Sequence, residues 1–70
     1  MMGFFYIKAK AIITVRGISG ESQEGVSYNV YASNVNEAKA KFEERCKERF
    51  KAMNFNKMEF DYLEIAFPIM

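Results

Sequence analysis

Few side chains in this sequence are equipped for chemistry, and most of them stand at alternate positions of extended segments. Glu59 and Asp61 lie two residues apart, which puts both carboxylates on one face of a strand. A carboxylate pair doing general acid–base work could use that spacing. Cys46 is the only cysteine and histidine is absent. The usual serine and cysteine triads therefore cannot be built, and a lone cysteine cannot make a structural zinc site. Gly17 to Gly25 contains three glycines, but it lacks the Lys-Ser/Thr ending of a phosphate-binding loop. Glu21 and Glu24 in that segment would also repel phosphate. The remaining set is Tyr6, Lys8, Lys10, Ile12, Arg16 and Tyr31. Its basic and aromatic members interleave on one sheet face, as they do in some proteins that stack single-stranded bases.

Each group also has a plainer structural meaning. Glu59 and Asp61 fall near Lys8 and Lys10 across a ladder, where opposite charges support pairing. Cys46 sits in the middle of an apolar helix face and reads as a small buried hydrophobe. The glycine segment reads as a mobile hairpin connection. No catalytic residue, metal or cofactor is implied, and the expectation is a protein that is not an enzyme.

The totals set further bounds. Seventy residues make one domain, residues 1–70, near the lower limit for a self-sufficient core. Half of the residues are hydrophobic and 16% are aromatic, more apolar surface than one helix on one sheet face easily hides. A homodimer is one way to cover the excess. The formal charge of +1 supplies no global field that would draw the chain to nucleic acid or to a membrane. No apolar run approaches a membrane span, and the charged, alternating start does not resemble a signal peptide. With one unpaired cysteine and no export signal, a cytoplasmic location is expected, or the host cytoplasm for a viral protein.

The elements that would position these residues are legible in the periodicity. Positions 4–16 alternate strictly, with Phe5, Ile7, Ala9, Ala11, Ile13 and Val15 on one face, as in a half-buried strand. After the glycine segment the alternation resumes over 26–32. The helix is expected over 35–53, where Val35, Ala38, Phe42, Cys46, Phe50 and Met53 share about a third of the circumference. Asn34 and Glu37 have capping-box spacing, and Glu37–Lys41 and Glu43–Lys47 are spaced as i,i+4 pairs. The last strand, 58–67, slips phase at Tyr62–Leu63. Either a bulge sits there or both faces are covered beyond it, and Pro68 ends the strand. A crossover from the second strand over the helix brings the third strand in beside the first. The fold class is α+β: one ββαβ domain, a mainly antiparallel three-stranded sheet of order 2-1-3, and one amphipathic helix on one face.

The strand-to-helix junction reads Tyr31-Ala32-Ser33-Asn34-Val35-Asn36-Glu37-Ala38. This Y-A-x₄-E-A step between a hairpin and a helix resembles the small T7-type phage inhibitors of bacterial RNA polymerase. The resemblance covers about a dozen residues and implies a cytoplasmic ββαβ protein that acts by docking on a host protein. None of that family's contact residues maps onto this chain. Large apolar patches on small proteins generally mark a partner. Tyr6, Ile12 and Tyr31, with either Leu63–Ile65–Phe67 or the tail Phe67–Met70, are expected off the helix-covered face. The functional expectation is a non-enzymatic protein-interaction module, a phage- or mobile-element-encoded modulator of a host protein. It would bind through the open sheet face or an edge strand. The alternative is a small homodimeric nucleic-acid-binding protein using Tyr6, Lys8, Lys10 and Tyr31.

Overall fold

Strict alternation of apolar and polar residues makes Gly3–Val15 the first and longest strand, β1. In the computed structural model, which describes residues 2–17 and 19–67, β1 lies between the other two strands of an antiparallel sheet of order 2-1-3. The full order is β1, β2 (Ser22–Ala32), α1 (Val35–Arg49), a 3₁₀ turn (Lys51–Met53) and β3 (Phe55–Ala66). This is the α+β, ββαβ architecture expected from the sequence. The longest dimension is 44 Å, close to the length of β1 at about 3.3 Å per residue.

Phe5, Ile7, Ala9, Ala11 and Ile13 of β1 are buried on one face. The register brings Val30 opposite Phe5, Tyr28 opposite Ile7 and Val26 opposite Ala9. Ala38, Phe42 and Cys46 close that layer from the helix. Phe42 is its hub. The ring packs edge-on against Tyr28 at 5.8 Å and Phe60 at 6.0 Å, and tilted against Tyr62 at 5.9 Å. Val35 and Met53, expected in the apolar stripe, are exposed at its two ends.

Several boundaries differ from the sequence reading. β2 starts at Ser22 rather than at 26, so the last four residues of the glycine segment are strand. Its polar residues pair with Ala11–Ile13, and cross-strand hydrogen bonding prevails over the weak strand propensity of Gly25 and Glu24. The helix stops at Arg49, four residues short of the expected end. Phe50 N–H still bonds the Cys46 carbonyl, and the chain then tightens into the 3₁₀ turn before reversing at Asn54. Asn54 takes the left-handed conformation, φ 52°, which Asn tolerates better than most residues. β3 therefore begins at Phe55 rather than at 58 and ends at Ala66, with Phe67 beyond it. Finally, β1 ends at Val15, so Arg16 occupies the turn. The expected strand stop at Pro68, and the tail residues Ile69 and Met70, lie outside the described residues.

The cap and the helix pairs also depart in detail. Asn34 Oδ1 accepts from Glu37 N–H at 2.8 Å, but Glu37 Oε1 accepts from the backbone N–H and hydroxyl of Ser33 rather than returning to Asn34. Lys41 donates to the Tyr31 carbonyl oxygen at 2.7 Å, and Glu43 accepts from the Tyr62 hydroxyl. The helix thus uses these charged residues to fasten itself to the sheet.

Candidate interaction surface

Side chains of opposite parity to the core form the other face of the sheet, which nothing in the described chain covers. Its middle column is Tyr6, Lys8, Lys10 and Ile12 of β1. Tyr31, Asn29, Ser27 and Gln23 of β2 flank it on one side, and Glu64, Asp61 and Glu59 of β3 on the other. Five of the six candidate binding residues therefore share this surface. Arg16 does not: it sits in the turn beyond β1, beside Met53, Asn54 and Phe55.

The β1–β3 register shifts between Lys8 and Ala9, because Lys8 faces Glu64 while Ala9 faces Tyr62. Leu63 is the extra residue of a β-bulge, so of the two sequence alternatives the bulge is correct. Tyr62 and Ile65 consequently both face the core. Ile65 leaves the exposed set to which it had been assigned, while Leu63 is 51% exposed. The same shift changes the charge pairing. Lys10 faces Asp61 as expected, but Lys8 faces Glu64, and Glu59 faces Ile12. Glu59 instead meets Lys57 at 3.6 Å, the one ion pair among the described residues. The face is charge-mixed rather than basic, with Asp61 opposite Lys10 and Glu59 beside Lys57. No cluster of three metal-ligating side chains occurs among the described residues.

Two apolar features break the polar field. At one end Phe4 and Tyr31 lie directly opposite each other, with ring centroids 4.9 Å apart and each residue 48% exposed. Sequence reading counted Tyr31 but missed Phe4, although Phe4 opens the same alternation that placed Tyr6 outward. In the middle, Leu63 borders a shallow groove lined by Lys8, Lys10, Gln23, Gly25 and Ser27, where the strands pass through the core-facing residues Ala9 and Val26. Gly25 opens that groove. It stands opposite Lys10, and a methyl group there would meet nothing within 4 Å. Phe67, expected on this side, instead packs its ring on Phe5 at 4.9 Å. A methyl at Gly3 would lie 2.5 Å from it, so only glycine admits this contact.

The titratable groups with displaced pKa values lie on the helix side. Burial pushes the Cys46 thiol up to about 11, which makes it a packing residue rather than a nucleophile. Burial and the bond to Glu43 raise the Tyr62 phenol. The bonds from Ser33 hold the Glu37 carboxyl below its ordinary value. All three are explained by packing and capping.

No family model matches the chain, no curated protein matches it in sequence, and no solved structure matches it in fold. No helix among the described residues is long and apolar enough to cross a membrane.

Proposed function

We propose that this chain is a non-enzymatic protein-interaction module that binds a partner protein through the open face of its sheet. The observation that carries the reading is the set Phe4, Tyr31 and Leu63, each about half exposed on an uncovered sheet face. Completing the burial of such side chains contributes on the order of 1 kcal/mol each. Polar neighbours around an apolar centre are the usual anatomy of a protein interface. The mixed charge of the face supports a protein partner over nucleic acid, because Glu59, Asp61 and Glu64 offset Lys8 and Lys10 where a phosphate backbone would run.

Within the same reading, the protein works in a reducing cytoplasm and modulates a host protein, as a phage- or mobile-element-encoded inhibitor would. The Y-A-x₄-E-A junction and the buried unpaired thiol of Cys46 support that direction. The test is capture from the lysate of the cell in which the protein acts, before and after nuclease treatment. A protein retained by the wild-type chain, resistant to nuclease and lost with Leu63→Glu or Tyr31→Ser, is expected. Capture of nuclease-sensitive nucleic acid alone would overturn the proposal.

A further inference from the structure

The two free edges of the sheet are not equally protected. β3 carries Lys57, Glu59, Asp61 and Glu64 and is bent by the bulge at Leu63, the devices that keep a bare edge from pairing. β2 has no bulge and a single charge. Over Ser22–Ala32 its one charged residue is Glu24, and its pairing with β1 runs unbroken. Its outer edge presents backbone N–H and C=O groups with no strand beside them.

Along that edge the helix lays a row of three exposed cations, Lys41, Arg45 and Arg49. Lys41 is anchored on the Tyr31 carbonyl. Tyr28 orients the other two: Arg45 lies over its ring at 4.3 Å, and Arg49 donates to its hydroxyl at 3.1 Å. None of the three has a carboxylate within 4.0 Å among the described residues. Glu44 and Glu48 border the row on its solvent side, and Glu24 lies towards the Arg49 end.

We infer that the β2 edge accepts an extended acidic segment of a partner protein, which adds a fourth strand and sets alternate carboxylates against Lys41, Arg45 and Arg49. The spacing favours this match. Residues four apart on a helix repeat at about 6 Å, and alternate residues of a strand at about 6.6 Å. Over three positions the rows diverge by little more than about 1 Å. Intervening side chains of the added strand fall on the open face beside Tyr31 and Ser27, in line with the apolar surface above. A second copy of this chain is the wrong occupant, since pairing β2 with β2 about a two-fold axis sets two cation rows face to face. A polyanion without a peptide backbone would leave the edge groups unpaired and meet Glu44 and Glu48.

This inference rests on the interaction reading, and its test separates the two. A labelled peptide of about ten residues, with Asp at every second position and Thr or Val between, is titrated against the full chain by fluorescence anisotropy. The comparison ligands are a peptide of the same composition with the Asp residues grouped at one end, and oligothymidylate of matching length. The alternating peptide is expected to bind at least about tenfold tighter than either. Arg45→Glu is expected to weaken it by about tenfold or more, and Arg49→Gln by less. Amide exchange should slow along β2 and not along β3. Equal binding of the grouped peptide, tighter binding of the oligonucleotide, unchanged β2 exchange or no peptide binding would each overturn the inference. If lysate capture were then kept by Arg45→Glu and lost with Leu63→Glu, the open-face proposal would stand without it.

Discussion

Cys46 shows how a residue with reactive chemistry becomes structural through its neighbours. It is fully buried in the core cluster with Ala38 and Phe42, and burial raises its pKa to about 11. An acid whose folded pKa is raised adds stability that is fully present below its unfolded pKa of 9.0. That stability is lost as pH rises towards the folded value. Urea unfolding of wild type and Cys46→Ala from about pH 8 to about pH 10.5 should therefore show the wild-type advantage shrinking with pH. A difference that stays constant would mean the thiol titrates normally. Phe42 carries more of the core, touching three other rings. Phe42→Ala is expected to cost about 3–5 kcal/mol, enough to leave so small a domain largely unfolded. A loss below about 1 kcal/mol by urea denaturation would contradict its place as hub. The roles of Cys46 and Phe42 were legible in the helical spacing alone. Phe4 and Tyr28 were harder, because their roles depend on who stands opposite and who leans over from the helix.

Among the elements, β1 and the centre of α1 are written plainly in alternation and in the apolar stripe. The segments that connect them are not. Ser22–Gly25 looks like loop by composition, yet it is strand because β1 offers it a continuous partner. Lys51–Asn54 continues the helical pattern in sequence, yet the chain must turn there to bring Phe55 opposite Val15. Asn54 makes the reversal at φ 52°. Asn54→Gly should leave stability near wild type, whereas Asn54→Val should lose about 1–2 kcal/mol. Equal thermal melting of the two variants would remove the strain argument. The bulge gives a sharper test. Because Leu63 is the extra residue, deleting it keeps Tyr62 inward, Glu64 outward and Ile65 inward. The shortened chain should unfold cooperatively with an unchanged far-UV spectrum. A molten product would show that the bulge, rather than the flanking pairs, holds the register.

For the molecule as a whole, the charged helix is a lid fastened to the sheet through Lys41, Arg45, Arg49 and Glu43, and the interaction surfaces we propose are the sheet's other face and the β2 edge. Sequence reading placed six candidate residues on that face, and the structure keeps five of them there. It could not separate Arg16 from them, because the strand end depends on the turn, and it left Leu63 as one of two alternatives, because only the bulge puts Leu63 outward while turning Ile65 in; Phe4 was legible in the alternation and was missed. The most direct measurement is site-specific photo-crosslinking in the lysate of the cell where the protein acts, with the photoreactive residue at Ser27 on the open face or at Ala40 on the outer side of the helix. The expected result is one nuclease-resistant protein adduct from position 27, absent from position 40 and lost when Leu63→Glu is added. Adducts from both positions alike, or only nucleic-acid adducts from position 27, would contradict the open sheet face as the site of a protein partner.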